Sequence, residues 1–228
     1  MIDPFNRPAS QPIRFARGDT VILCEGLDEC AVLRKLAGNG AHELKIGTRS
    51  SEEGLNWEGE FSALANQVRL HAIASVGFVF DAEGDREKRK KELHQWLQTA
   101  GFKPPPKALT LAESSLDGVR VKTAYLINPH AHKSGAIESL FLPQIRRSKR
   151  WKCIQQLLEC YQREAPTRQL VDKLIVRTFI AHGNAANTGL NAAFRAGILN
   201  CDGPEFDPLR RLLDLLRSVT SQQSGGKP

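Results

Sequence analysis

Short apolar runs that alternate with helix-length amphipathic segments are the feature that most constrains the fold of this chain. The first three runs are TVILCEG (20–26), HELKIG (42–47) and VGFVFD (76–81), and helical patterns lie between them. Strands that alternate with helices of roughly ten to fifteen residues form βαβ units. We therefore predict an α/β protein with a mostly parallel sheet flanked by helices.

The third run marks the centre of the predicted sheet. VGFVFD is apolar at consecutive positions, which is typical of a strand buried on both faces. A helix over 86–100 is predicted to follow it. Further along, KALTL (107–111) and VRVKTAYLIN (119–128) are predicted to form a strand pair around the polar turn ESSLDG (113–118).

Beyond NPHAHKSG (128–135) the sequence shows helical patterns alone. We therefore predict an N-terminal arm over 1–18 and an α/β domain over 19–145. A helical C-terminal region over 146–219 is predicted to pack on that domain. The polar segment 220–228 is predicted to be a flexible tail.

Composition narrows the class of partner. The formal net charge of +7 favours an anionic partner, with nucleic acid as the first candidate.

The N-terminus lacks the apolar segment of a secretory signal, and no run approaches the ~18 apolar residues of a membrane span. We expect a cytoplasmic protein without a membrane partner. The five cysteines form no C-x-x-C pair, so neither a disulfide framework nor a structural zinc site is expected.

The positive charge is concentrated in two runs, REKRKK (86–91) and RRSKR (146–150). Cations spaced in this way can contact the phosphates of a nucleic acid. The alternative is that both runs are solvated helix faces. The candidate nucleic-acid contacts are Arg86, Lys88, Arg89, Arg146, Arg147, Lys149 and Arg150.

Carboxylates follow two of the predicted strands. Glu25 ends the first strand and Asp81 ends the third, with Glu83 and Asp85 beyond it. The carboxyl ends of parallel strands meet at one edge of a sheet. Positions 81, 83 and 85 would project the same way while the backbone stays extended, with neighbours roughly 7 Å apart. Such carboxylates can converge on Mg²⁺ (or Mn²⁺), which prefers oxygen ligands. The alternative for Asp85 is a cap on the following helix.

The segments VILCEGLDECAVLRKL and GFVFDAEGD together resemble a Toprim domain, the catalytic module of topoisomerases, bacterial primases and several small nucleases. The family signature is an apolar strand ending in Glu-Gly, here Glu25-Gly26, and a later strand ending in Asp-x-Asp. Here the second motif is Asp81-Ala82-Glu83, with glutamate in place of the second aspartate. The resemblance implies that Glu25 is the general acid or base and that Asp81 and Glu83 hold a divalent ion.

A closer resemblance is to a little-characterised Toprim-related family, similar to the nuclease half of overcoming-lysogenization-defect proteins. It is carried by INPHAHKSGAIESLFLP (127–143), in which Gly135, Ile137 and Glu138 match and His130-Ala131 departs from the usual acid and amide. This resemblance implies a partner ATPase. The remaining residues that we assign from the resemblance or from their place near the sheet edge are Glu25, Asp85, Glu29 and Glu138 as further metal ligands, Gly26 as a point of close phosphate approach, and Lys133 as a catalytic contact to the scissile phosphate. The alternative for Glu29 and Glu138 is an acid near a helix N-terminus that the helix dipole stabilises.

Two functions are compatible with these features. The first is a Mg²⁺-dependent nuclease that cleaves phosphodiester bonds, DNA being favoured over RNA, in defence against phage or plasmids. The second is a catalytically silent Toprim scaffold that binds nucleic acid or an ATPase. No P-loop is present, so ATP hydrolysis by that route is not expected. Self-association through the helical C-terminal part is a further expectation.

Overall fold

The computed structural model describes residues 15–48, 57–161, 168–183 and 189–224. Residues 1–14 of the predicted arm and residues 225–228 of the predicted tail lie outside these ranges. Within them, no helix has the length and apolar character that crossing a membrane requires.

The described residues form strands and helices in the predicted alternation. The strands are β1 (Thr20–Cys24), β2 (Leu44–Thr48), β3 (Ser75–Asp81), β4 (Ala112–Leu116) and β5 (Val119–Asn128). The helices are α1 (Leu27–Ala37), α2 (Trp57–His71), α3 (Arg86–Thr99), α4 (Leu142–Arg146), α5 (Trp151–Tyr161), α6 (Arg168–Ala181), α7 (Leu190–Arg195) and α8 (Asp207–Ser224). Short 3₁₀ helices occupy Gly38–Glu43, Ile137–Phe141 and Pro204–Phe206. Because α8 continues to Ser224, it extends past the predicted boundary at residue 219.

The strands form one sheet in the order β2-β1-β3-β5-β4. β1 lies between β2 and β3 and runs parallel to both, with Cys24 paired to Thr48 on one side and to Val79 on the other. All seven residues of β3 are buried, as predicted for a strand covered on both faces. The predicted α/β class, with a mostly parallel sheet and helices at the C-terminus, is confirmed.

The edge strand β4 corrects one prediction. KALTL (107–111) is not a strand, and the residues predicted to form a polar turn include β4, antiparallel to β5. The residues of β4 alternate between buried and exposed, so one face of the strand is buried and the other faces solvent. One buried face is enough for an edge strand, even though the strand contains two serines. The turn itself is Asp117-Gly118, with φ of 51° and 84°. Both residues thus adopt the left-handed conformation of a two-residue hairpin turn.

The chain divides into two compact units. Unit 1 comprises Met1–Phe80, Lys90–Leu126 and Pro208–Pro228, and unit 2 comprises Asp81–Arg89 and Ile127–Asp207. This division differs from the predicted boundary at residue 145. Helix α8 belongs to unit 1, which contains the sheet. Residues 81–85, which we call the acidic segment, belong to unit 2 with the C-terminal helices.

An aromatic cluster forms part of the core of unit 1. Phe61 of α2 stacks on Phe78 of β3, with 4.9 Å between ring centroids and an interplanar angle of 10°. Trp57 stacks against Trp96 at 5.8 Å, and Phe80 lies 4.8 Å from Trp57. Aromatic pairs at these separations add roughly 0.5–1.5 kcal/mol beyond the burial of their area. This cluster therefore fixes α2 and α3 against β3.

The core of unit 2 is built around Phe141. Its ring centroid lies 5.9 Å from that of Phe194 and 5.1 Å from that of Phe206. On the adjoining 3₁₀ helix, the Ser139 hydroxyl donates to Asp172 Oδ2 at 2.6 Å. These contacts join the Ile137–Phe141 helix to α6 and α7.

Helix α8 packs tightly on β3 at Gly77, where no side chain can be added without displacement. A Cβ at this position would lie 2.5 Å from Leu216 Cδ1, and Leu216 is fully buried. We expect Gly77→Ala to lower the free energy of unfolding by about 1–2 kcal/mol, because overpacking shifts buried groups. Urea denaturation measures this loss. Gly59→Ala is the matched control, since a Cβ there meets nothing within 4 Å. Equal stability of the two variants would contradict the tight packing.

His94 of α3 makes unit 1 sensitive to acid. Burial, and secondarily the charge of Lys90, lowers the pKa of His94 from its ordinary value of 6.5. Its ring packs edge-on against Tyr125 at 5.4 Å. As the pH falls through 6.5 towards the folded-state pKa, the unfolded chain binds the proton more readily, so stability declines. Above 6.5 the contribution of neutral His94 is fully present.

Urea denaturation across this pH window checks the sign. We expect His94→Gln to flatten the decline in unfolding free energy below pH 6.5. A steeper decline in His94→Gln than in the wild type would contradict the assignment.

Candidate functional site

Asp81 is the last residue of β3 and its carboxylate is firmly held. Its side chain is only 6% exposed, and Oδ1 accepts a hydrogen bond from the backbone N–H of Ile137 at 2.9 Å. The amide comes from the first residue of the Ile137–Phe141 helix. The site is therefore assembled from segments that lie far apart in the sequence.

Glu83 departs from the extended backbone predicted for the acidic run. Its φ is 50°, and its N–H and C=O exchange hydrogen bonds of 2.8 Å with Gly135. Gly135 must be glycine, because its φ is 132° and a Cβ would lie 2.9 Å from Ser139 Oγ. The expectation that positions 81, 83 and 85 project the same way is wrong, because the left-handed conformation at Glu83 ends the extension.

Asp85 caps helix α3, the alternative considered for it. Its Oδ1 accepts hydrogen bonds from the N–H groups of Glu87 at 2.9 Å and Lys88 at 3.2 Å. Such a cap satisfies helix donors that would otherwise have no partner. The arrangement gives Asp85 a structural task whether or not it also contacts a metal.

Arg89 is the cation held against the acidic segment. Its Nη2 lies 2.9 Å from Glu83 Oε2, and its Nε donates to the backbone carbonyl of Asp81 at 3.2 Å. Arg89 is only 9% exposed, and its predicted contact with nucleic acid stays a prediction. A charged residue placed one helical turn beyond the acids turns inward to neutralise them.

Arg86 anchors the loop that carries Lys133. Its backbone N–H donates to the carbonyl of Lys133 at 2.8 Å. Its guanidinium donates to the carbonyl of His130, and Nη2 lies 3.0 Å from His130 Nδ1. The Lys133 side chain is exposed. Arg86 therefore positions this loop, and its predicted contact with nucleic acid stays a prediction.

Asn128 is a member of the site that the sequence reasoning missed. It ends β5, is 1% exposed, and its carbonyl accepts a hydrogen bond from Ala82 N at 2.6 Å. In a parallel ladder this bond places Asn128 opposite Asp81, on the same face of the sheet. Its Nδ2 has no hydrogen-bond partner among the described residues. A polar residue at the end of a buried strand was the signal that could have identified it.

Glu138 lies in the same unit but on the 3₁₀ helix. It is 2% exposed, and its Oε1 is 3.8 Å from Arg177 Nη2. A buried carboxylate of this kind requires a compensating cation or hydrogen bonds. The predicted role of Glu138 as a metal ligand stays a prediction.

Glu25 and Glu29 belong to unit 1. Glu25 directly follows β1, is half-buried, and donates its backbone N–H to the carbonyl of Val79 at 3.0 Å. Glu29 is 4% exposed on the first turn of α1. A Cβ on Gly26 would lie 2.9 Å from Glu29 Oε2. Gly26 leaves space for the Glu29 carboxylate, and its predicted role in phosphate approach stays a prediction.

Cys24, at the end of β1, is a buried thiol. Burial raises its pKa well above the ordinary value, and Cys30 and the charge of Glu29 raise it further. A thiol of raised pKa is a poor nucleophile at neutral pH.

A comparison with known families places the chain. The model of a family described as a protein of unknown function (DUF3226) matches residues 19–218. The chain belongs to the DUF3226 family. No curated protein and no solved structure matches it. The DUF3226 match begins one residue before β1 and ends within α8, so it contains all the candidate acids.

The candidate metal ligands of this DUF3226 chain can be compared with the ligands that a divalent ion prefers. Asp81 and Glu83 offer carboxylate oxygens, the ligands that Mg²⁺ prefers, and the Glu83 side chain is 51% exposed, which leaves room for water ligands. Within the described ranges, however, no three His, Cys, Asp or Glu side chains are grouped closely enough to form a metal site. The ligand type suits Mg²⁺, but Arg89 occupies Glu83 in the arrangement seen, and the metal site stays a prediction.

Proposed function

We propose that the chain is a Mg²⁺- or Mn²⁺-dependent nuclease in which Asp81 and Glu83 hold the metal ion. One observation carries the proposal: a fixed carboxylate at the end of the buried strand β3 is followed two residues later by a half-exposed one. In parallel sheets, ligands bind beyond the carboxyl ends of the strands. DNA is favoured over RNA as the substrate.

A bound divalent ion would neutralise charge on the leaving oxygen and lower the pKa of a water molecule. The protein's own residues supply the setting. The Ile137 N–H fixes the orientation of Asp81, and Arg86 holds the loop from which exposed Lys133 can contact a phosphate. The Toprim resemblance assigns general acid–base catalysis to Glu25, the residue that follows β1 in unit 1.

The exposed cations of the two basic runs support a nucleic-acid partner. Lys88, Arg146, Arg147, Lys149 and Arg150 are all exposed, and such residues bind phosphates through release of condensed counterions. A partner ATPase, a role in defence against phage or plasmids, a cytoplasmic location and self-association complete the proposal. All four derive from the sequence analysis.

The second candidate is a catalytically silent scaffold that binds nucleic acid or an ATPase. It is favoured by the Arg89–Glu83 pair, because a guanidinium already compensates the charge that a metal ion would neutralise. In this function the acidic segment is a structural element.

Incubation of purified protein with supercoiled plasmid separates the two functions. The nuclease predicts nicked or linear plasmid in Mg²⁺ or Mn²⁺ and none in a chelator. Intact plasmid under all conditions, together with retained DNA binding in a gel-shift assay, would reject the nuclease in favour of the scaffold.

A further inference from the structure

Unit 2 contains a cavity of about 450 Å³ lined by residues of α4, α5 and α6. This volume falls within the range of small-ligand sites, roughly 300–1,000 Å³. Its wall includes Arg146, Trp151, Gln155, Glu159 and Asp172. None of these residues belongs to the acidic segment after β3.

The wall combines a flat aromatic surface with polar groups. The Arg146 guanidinium carbon lies 5.8 Å from the centroid of the Trp151 ring. Asp172 is 4% exposed, and its Oδ2 is fixed by the hydroxyl of Ser139 at 2.6 Å. The cavity thus offers planar stacking partners, an amide on Gln155 and a buried, oriented carboxylate.

Positive charge lies immediately beside the cavity. Arg147, Lys149 and Arg150 are exposed and occupy the turn between α4 and α5. They extend the charge of Arg146 along one short stretch of chain. A ligand that suits both features has a flat ring attached to a chain of anionic groups.

We infer that this cavity holds an unpaired base of a single-stranded nucleic acid whose phosphates contact the 146–150 segment. The inference rests on the proposed function insofar as nucleic acid is the partner. Bases stack on aromatic rings and guanidinium planes, and every base has such a face. The carboxylates of Asp172 and Glu159 accept hydrogen bonds from exocyclic amino groups, so adenine and cytosine suit the wall better than thymine.

Fluorescence anisotropy in a chelator and at one fixed salt concentration tests the inference without any metal chemistry. The probes are deoxyadenosine, deoxycytidine and deoxythymidine strands of equal length, an abasic strand of that length and a duplex. We expect the deoxyadenosine and deoxycytidine strands to bind more tightly than the abasic strand. Trp151→Ala should weaken binding of the deoxyadenosine strand by about tenfold and leave the abasic strand and the duplex unchanged.

Two further variants separate base stacking from charge and from misfolding. Lys149→Ala removes a cation that does not line the cavity, so it should weaken the base-bearing and abasic strands equally. Trp151→Phe keeps an aromatic face and should retain most of the base-dependent affinity.

Equal loss of abasic and base-bearing strands in Trp151→Ala, or no loss in either, would overturn the base site. Wild-type protein that binds both strands equally would also overturn it, while leaving the basic surface and the nuclease proposal intact. If the wild-type protein keeps the base preference but does not nick plasmid in Mg²⁺ or Mn²⁺, the nuclease proposal is overturned and the base site is not.

Discussion

Asp81→Asn is expected to reduce metal-dependent plasmid nicking by at least about 100-fold, since even residues that only support metal ligands cost 10–100-fold when changed. Asparagine keeps the shape of the side chain and an oxygen that can accept the hydrogen bond of the Ile137 N–H. It removes the negative charge, so any loss reports on the charge and not on the packing. Initial nicking rates at a fixed Mg²⁺ concentration measure the effect.

Asp85→Asn is the matched control for this variant. Asparagine caps helices about as well as aspartate, and Asp85 caps α3. We expect near wild-type nicking if the cap is its only task, and a loss as large as that of Asp81→Asn if it binds the metal. Wild-type nicking by Asp81→Asn itself would refute the proposed role of that residue.

Arg89→Ala is expected to lower the free energy of unfolding by about 2–3 kcal/mol in a chelator, the scale of a hydrogen-bonded charge removed from a site of this kind. Arg89 is nearly buried, whereas its partner Glu83 is half-exposed, so solvent moderates the loss. Lys88→Ala removes the same charge from an exposed neighbour and should change stability by less than about 0.5 kcal/mol. Urea denaturation in a chelator compares the two variants.

The Arg89 variant should also respond more strongly to metal than the wild type does. Removal of the guanidinium releases Glu83 for a divalent ion, so Mg²⁺ should restore part of the lost stability. A ligand that binds only the folded state stabilises it by mass action. Identical Mg²⁺-dependent shifts in Arg89→Ala and the wild type would show that Arg89 and the metal do not compete for Glu83.

The sequence allowed most of the sheet to be predicted because its strands are apolar and separated by helices. β1, β2, β3 and β5 each contain such a run. β4 was missed because its serines and glutamate were read as turn residues, although the Asp117-Gly118 pair signalled a hairpin. An edge strand needs only one buried face. In β4 that face has three residues, too few to give a clear apolar pattern in the sequence.

Around the end of β3, the position of Asp81 was predictable from the sequence, whereas Asn128 and the local geometry were not. Asp81 follows directly from its place at the end of a strand. The left-handed conformation of Glu83 depends on pairing with Gly135, more than fifty positions away in the printed sequence. The inward turn of Arg89 could not be read from a run of cations, because charge alone predicts exposure. These features arise from tertiary contacts between distant segments.

The most direct test of a metal ion at Asp81 and Glu83 is a calorimetric titration of Mn²⁺ into the wild-type protein and Asp81→Asn. The proposed site predicts saturable binding in the wild type that Asp81→Asn abolishes. Undetectable binding at millimolar Mn²⁺ in the wild type, or the same affinity in both proteins, would contradict it.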